Sequence, residues 1–236
     1  GEGILLEYLL KNKSVDCRGI EINQKGVNKC VEKGLSVIQG DANIDLKDYP
    51  DDFFSSVILS QTIHAMIDPE NVIKNLIRIS ERAIISFPNF GYWRVRVSLM
   101  FLGKMPQTEI LSYNWYDTPN IHFCTITDFM SLCSTLGIEV ENGIALDRTG
   151  QTREIGGGGM FFANLRGEQA VFLLNQSLRS SQPQPPGIES ANRFIPVIVV
   201  NFSIVSPRPF GFTIFRLFSL HPFLYRRLAY PLCQPP

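Results

Sequence analysis

Gly1-Glu2-Gly3-Ile4-Leu5-Leu6-Glu7-Tyr8-Leu9-Leu10, followed by Cys17-Arg18-Gly19-Ile20-Glu21-Ile22, is the stretch on which the fold turns. A lone Gly-x-Gly is common and says little. Here a helix begins at once, with Leu5, Leu6, Leu9 and Leu10 on one apolar face, and a short β-branched strand comes next. Glycines at such a point permit positive φ and let a ligand approach the backbone at a helix N-terminus.

Working outward, residues 23–176 continue the alternation of strand and helix that a parallel α/β sheet requires. Gln24 to Lys33 reads as a helix stopped by Gly34, and Leu35 to Gln39 as a strand. Ser56 to Ser60 is a continuous apolar run of the kind buried on both faces of a sheet. Asp68-Pro69 starts a helix that runs to about Ile79, because an N-cap acid precedes a proline at the first helical position. Arg82 to Phe87 is a further strand. A helix with Thr127 as N-cap follows, ending at Gly137. Ile138 to Leu146 and Gln169 to Leu174 close the body as two strands around a short loop, with Gly156-Gly157-Gly158-Gly159 a flexible turn. The expected architecture is a Rossmann-like, three-layer αβα sheet ending in an antiparallel hairpin.

The acids fall where such a sheet binds ligands. Glu21 stands at the C-terminal end of its strand, eighteen residues after Gly3, where a carboxylate accepts from both hydroxyls of a ribose. Asp41 comes just past the following strand in Gly40-Asp41-Ala42, placed to accept from an adenine amino group. Gly1, Gly3, Glu21, Asp41 and Ser60 are the expected cofactor contacts. A nicotinamide dinucleotide uses similar parts. The absence of a third glycine at the dinucleotide spacing, the presence of Asp41 and the terminal antiparallel pair favour S-adenosylmethionine instead. For each acid the alternative is a helix cap or a solvated loop residue.

The 236 residues carry no net charge, so a basic nucleic-acid surface is not implied. The charge is uneven, however. Residues 177–236 hold six arginines, one acid and no lysine, about +5, and ten of the fifteen prolines. Two regions are therefore expected: a body over 1–176 and a Pro/Phe/Arg-rich tail over 177–236. The tail opens on a Ser/Gln/Pro linker and reads as disordered or as non-native coding sequence after about Gln176. Its apolar runs, 194–205 and 210–232, are too short or too interrupted to span a membrane, although a peripheral membrane contact suits their aromatics and arginines. Five scattered cysteines without a C-x-x-C pair fit a reduced cytoplasmic setting.

Between the body's strands lies an aromatic insertion. It contains Ser86-Phe87-Pro88-Asn89-Phe90-Gly91-Tyr92-Trp93-Arg94-Val95-Arg96 and Tyr113-Asn114-Trp115-Tyr116-Asp117-Thr118-Pro119-Asn120-Ile121-His122-Phe123-Cys124-Thr125. Together with Ile58-Leu59-Ser60-Gln61-Thr62, these segments resemble the methionine biosynthesis protein MetW family over about residues 1–175. The resemblance implies a class I methyltransferase-like fold and a bacterial, cytoplasmic partner or modulator of homoserine O-acetyltransferase (MetX) in methionine synthesis. It supports Gly1, Gly3 and Glu21 as S-adenosylmethionine contacts and leaves Asp41 to the fold argument. The sequence departs from the family twice, in lacking the strand that precedes Gly-x-Gly and in its tail. Since that strand is central in the usual class I topology, a sheet open in the middle and a weak cofactor site are expected.

Methyl transfer needs positioning, and a base where the acceptor must lose a proton. His64, His122 and Asp117 are the candidates; each has a structural polar role as its alternative. His122 and Cys124 alternate without a second pair to complete a tetrahedral site, which argues against a metal. Trp93, Trp115, Tyr113 and Tyr116 suit a lid, a protein interface or core packing, with Arg94 and Arg96 favouring the interface. The residues leave two functions open, an acyltransferase partner and an active small-molecule methyltransferase.

Overall fold

A computed structural model describes residues 2–13, 15–108, 110–175 and 196–201. The first half alternates helix and strand: α1 (Ile4–Asn12), β1 (Asp16–Glu21), α2 (Gln24–Glu32), β2 (Val37–Gln39), α3 (Ala42–Asp45), β3 (Phe54–Ser60), α4 (Pro69–Ile79) and β4 (Ser80–Pro88). After the insertion come α6 (Ile126–Thr135), β5 (Glu139–Leu146), β6 (Thr152–Glu154), α7 (Met160–Arg166) and β7 (Gln169–Asn175). The insertion itself carries α5 (Trp93–Val97), continued by one π-helical turn over Ser98–Leu102. The last described strand is β8 (Pro196–Asn201).

The eight strands form one sheet in the order β2-β1-β8-β3-β4-β7-β5-β6. β2, β1, β8, β3 and β4 run parallel, whereas β7 pairs antiparallel with β4 and with β5. Alternate strand residues feed two separate cores, as the period of two demands. On one face Ile20, Val57, Leu59, Ala83, Ile85, Ile198 and Val200 meet Ile73 and Leu76 of α4 and Phe129 of α6. On the other, Cys17, Ile58, Ile84, Val197 and Val199 meet Leu5, Leu6 and Leu9 of α1. The expected three-layer αβα architecture is therefore present.

The expected opening in the middle of the sheet is corrected by β8. It lies between β1 and β3, with residues 196–201 paired to β1 and residues 197–201 paired to β3. Val197, Ile198, Val199 and Val200 are all buried. Six tail residues are thus sheet residues; 177–195 and 202–236, with the expectations of disorder, membrane contact or non-native coding attached to them, lie outside the described residues.

Two local expectations are also corrected. β5 and β7 do pair antiparallel, but the connection is not a short loop: β6 adds to the edge, and the glycine run winds into a 3₁₀ turn that leads directly into α7. α6 is capped by Thr125, not Thr127. Thr125 and Asp128 form a reciprocal capping box, which satisfies two orphan donors where a lone hydroxyl satisfies one. The Thr127 hydroxyl instead accepts from the Asn164 side chain at 2.9 Å.

Candidate functional site

Three strands finish at one level. Glu21 of β1 pairs with Asn201 of β8, and Asn201 with Ser60 of β3, so the carboxyl ends of neighbouring strands form a row. Open α/β sheets bind ligands outside such an edge. Glu21 is almost wholly buried there, and its Oε1 accepts the Asn23 main-chain N–H at 2.9 Å. The Gly40 N–H donates to the Glu21 carbonyl, which holds the turn carrying Asp41 beside Glu21. Ser60 is buried, and its carbonyl accepts the Thr62 hydroxyl at 2.6 Å.

Gly3 caps α1 in the left-handed region, at φ 72°, with no side chain to fill the helix N-terminus. An added Cβ would meet Leu35 Cδ1 at 2.5 Å and Cys30 Sγ at 2.8 Å. The glycine is therefore demanded by packing on α2 as well as by backbone conformation. Gly1 lies outside the described residues.

Asp41 has a capping role. Its Oδ1 accepts from the Asn43 main chain at 2.9 Å and from the Asn43 amide at 2.8 Å, at the N-terminus of α3. The capping alternative raised by the sequence is what the geometry displays for that oxygen. Glu21, Ser60, the Asp41 turn and the Gly3-led helix fit an adenosine-type cofactor: a buried carboxylate at a strand end, a second acid on the adjoining turn, and an uncapped helix start.

Beyond β3 the chain bends sharply. Gln61 adopts φ 52°, rare for a residue with a side chain, and its N–H is held by the Ser86 carbonyl at 2.9 Å and hydroxyl at 3.1 Å. The bend delivers His64 into a 3₁₀ turn, where it is buried. The carbonyl of His64 accepts the N–H groups of both Ile121 and His122. The structure therefore joins two of the three candidate bases. The third, Asp117, sits exposed on a turn and accepts from the Asn114 amide at 3.2 Å.

Burial pushes the His64 imidazole down to a pKa of about 4; the Asn120 amide beside it opposes this and His122 reinforces it. His64 is neutral at physiological pH. Its Nδ1, the Asn120 Oδ1, the His122 Nε2 and the Gln61 Nε2 are all buried polar atoms without a hydrogen-bond partner among the described residues. Gln61 and Asn120 are not among the site residues that the sequence alone singles out. The available signal is their position within two of the three segments that carry the family resemblance.

The insertion resolves the alternatives for its aromatics in part. Trp115 and Tyr116 are about 70% exposed and Trp93 is also exposed, so these three do not pack in the core. Tyr92, Val95 and Leu111 make the small cluster that anchors the insertion, with Phe90 against it. The anchor of the whole region is Asn89, which is buried. It donates to the carbonyls of Asn164 and Gly167, both at 2.8 Å, and accepts from the N–H groups of Gly91 and Ile126.

Thiol chemistry is not supported: burial pushes Cys17, Cys124 and Cys133 up to about 12. Among the described residues no three His, Cys, Asp or Glu side chains gather as metal ligands, and no helix is long and apolar enough to cross a membrane.

Residues 1–174 match the family model described as methionine biosynthesis protein MetW. The chain belongs to the MetW family. A relative from Rhodopirellula baltica, named bifunctional methionine biosynthesis protein MetXA/MetW, is 32% identical over 130 residues, which is 55% of this chain and 21% of that protein. The MetW-family chain thus spans about a fifth of that relative's length. Among solved structures it resembles a SAM-dependent methyltransferase from Archaeoglobus fulgidus, with a TM-score of 0.53, 14% identity and coverage of 74% of this chain and 82% of that one. An S-adenosylmethionine dependent methyltransferase from Mesorhizobium loti gives a TM-score of 0.52, 12% identity and coverage of 74% and 87%. A SAM-dependent methyltransferase from Thermotoga maritima, described as a possible histamine N-methyltransferase, gives 0.51, 18% identity and coverage of 73% and 77%. At these identities the structures establish the fold of the MetW-family chain as that of class I methyltransferases.

Proposed function

We propose that this MetW-family chain is an S-adenosylmethionine-binding, methyltransferase-like partner of homoserine O-acetyltransferase, acting in methionine biosynthesis in the cytoplasm. The observation that carries the partner assignment is the relative in which MetXA and MetW are named together in one polypeptide. Two halves of one bifunctional chain are held at high effective concentration, and separate chains that work together achieve the same by docking. The exposed Trp93, Trp115 and Tyr116 give the insertion the residue types that concentrate interface energy.

For the cofactor, Glu21 holds the ribose, the Asp41 turn receives the adenine, and Ser60 with the Gly1–Gly3 segment lines the remainder. When bound, S-adenosylmethionine supplies an electrophilic methyl group. What the chain's own residues do is position it and exclude water. His64, neutral and buried behind β3, favours a second reading as an active small-molecule methyltransferase, with His64 or His122 taking a proton from the acceptor.

Co-purification with homoserine O-acetyltransferase and an acetyltransferase rate that changes on adding this chain are the expected results. Labelled methyl groups appearing in a metabolite, with no effect on the acetyltransferase, would establish the second reading in place of the first.

A further inference from the structure

We propose that Gln61, His64, Asn120 and His122 line a binding site for a small uncharged group that both donates and accepts hydrogen bonds, of the carboxamide kind. The inference rests on the second reading above only in making that molecule the methyl acceptor. The site itself is argued without methyl transfer.

Each of the four residues holds a buried side-chain atom with no hydrogen-bond partner among the described residues: Gln61 Nε2, His64 Nδ1, Asn120 Oδ1 and His122 Nε2. Buried polar groups are paired as a rule, and an orphan is destabilising. Here four fall in two short segments, 61–64 and 120–122, that are stitched together. The His64 carbonyl accepts the main-chain N–H groups of Ile121 and His122, each at 2.9 Å. The Asn120 and His122 side chains both act on the His64 imidazole.

The turn is fixed before any ligand arrives. The Gln61 N–H is held by the carbonyl and hydroxyl of Ser86, and the Thr62 hydroxyl donates to the Ser60 carbonyl. Gln61 sits there at φ 52°, a conformation that glycine adopts with less strain. One residue thus combines a strained backbone with a buried, unbonded amide. Such strain persists where a surrounding structure enforces it, and it gathers at ligand sites.

The site is reachable. Gln61 and His64 are buried, whereas Asn120 and His122 are only half-buried, and Ile121 between them is 57% exposed. The lining therefore runs from the interior to the surface along the insertion. It begins one residue past Ser60, at the sheet edge that fits the adenosine-type cofactor.

The lining selects the ligand. Gln61 Nε2 only donates and Asn120 Oδ1 only accepts, while each imidazole nitrogen does one or the other according to its tautomer. Gln61 and Asn120 carry no charge, and burial keeps His64 neutral. An ion placed here would lose its water with no fixed opposite charge in exchange. A carboxamide offers its N–H groups to Asn120 and its carbonyl to Gln61.

Acetamide, acetate and acetamidinium share one planar shape and differ in charge, so they are the probes. Their binding to the full chain is followed through the imidazole NMR signals of His64 and His122, in a sequence with three histidines. At neutral pH acetamide should shift both signals saturably, at roughly millimolar concentration for so small a ligand. Acetate and acetamidinium should bind at least about tenfold more weakly. Asn120→Leu should weaken acetamide by at least about tenfold. Asn120→Asp keeps the shape, adds a carboxylate and should reverse the preference towards acetamidinium, which a merely structural asparagine would not produce. No shift in acetamide up to about 0.2 M would mean that ordered water alone serves these atoms, and would overturn the site. Equal binding of the three probes, or an unchanged preference in Asn120→Asp, would overturn its chemistry. Binding is read without turnover, so a chain that transfers no methyl group can still uphold the inference, and one that does can still overturn it.

Discussion

The His122 main-chain N–H donates to the carbonyl oxygen of His64 at 2.9 Å, and the Ile121 N–H donates to the same oxygen. A segment near the end of the aromatic insertion is thereby stitched to the turn after β3, and the imidazole of His64 is enclosed beneath it.

Because His64 titrates near 4 in the folded chain and near its ordinary value of 6.5 when unfolded, the unfolded state takes up a proton first as pH falls. The stability associated with neutral His64 is complete above about pH 6.5 and is lost as pH drops towards 4. The integrated loss is on the order of 3 kcal/mol. Urea unfolding of the parent and of His64→Gln at pH 7.5 and pH 4.5 checks this. The variant should show a pH dependence smaller by about that amount, and an unchanged dependence would refute the assignment.

Gly3→Ala should destabilise by roughly 2–4 kcal/mol, combining a left-handed residue with overpacking against Leu35 and Cys30. Gly34→Ala is the informative control, since its φ is also 72° but no atom lies within 4 Å of an added Cβ. Thermal melts of the two variants should separate the conformational cost from the packing cost, Gly3→Ala losing more.

Asn89→Ala strips partners from four main-chain groups at once, those of Gly91, Ile126, Asn164 and Gly167. A loss of about 3–5 kcal/mol is expected, with the insertion opening first. Proteolysis within residues 93–123 should accelerate ahead of global unfolding; loss of stability without that local opening would show that Asn89 does not anchor the insertion.

Glu21→Gln should weaken S-adenosylmethionine binding by about 10–100-fold, the worth of charge-assisted bonds to a ribose. Asp41→Ala should act differently. Its Oδ1 is engaged by Asn43, so removing it costs about 1 kcal/mol of stability through the lost cap. Calorimetric titration and melting of both variants distinguish the roles.

Trp115→Ser should leave stability within about 0.5 kcal/mol, because the ring is exposed. If the insertion docks homoserine O-acetyltransferase, the same change should lower co-purification severalfold. Equal capture by parent and variant would remove Trp115 from that interface.

Much of this was readable in the chain where chemistry is local. Asp68-Pro69 announces α4, and the structure starts the helix at Pro69 with Asp68 as its cap and ends it at Ile79. The apolar run ending at Ser60 is buried, as its composition implies. Structure and sequence pattern diverge where two local signals compete. Thr125 and Thr127 both precede an apolar stretch, and only the reciprocal bond to Asp128 decides between them. Four glycines suggest a loop, yet they lead into α7 because Ala163 finds a buried place against the sheet. Neither β8 nor the pairing of His64 with the insertion is local at all. Pro196 and the proline-rich residues before it disguise a strand whose reason for existing is an opening made by residues far away in sequence. Gln61 shows no signal by itself; its unusual φ comes from two bonds to Ser86 on the next strand.

The position of β8 also sets an order of events during synthesis. β1 leaves the ribosome with residue 21, but the strand that lies beside it is finished only at residue 201. At about 5–20 residues per second, roughly nine seconds or more separate the synthesis of β1 from that of β8. The pairing that closes the middle of this sheet is therefore among the last to form, and a pause in translation before residue 196 should delay it.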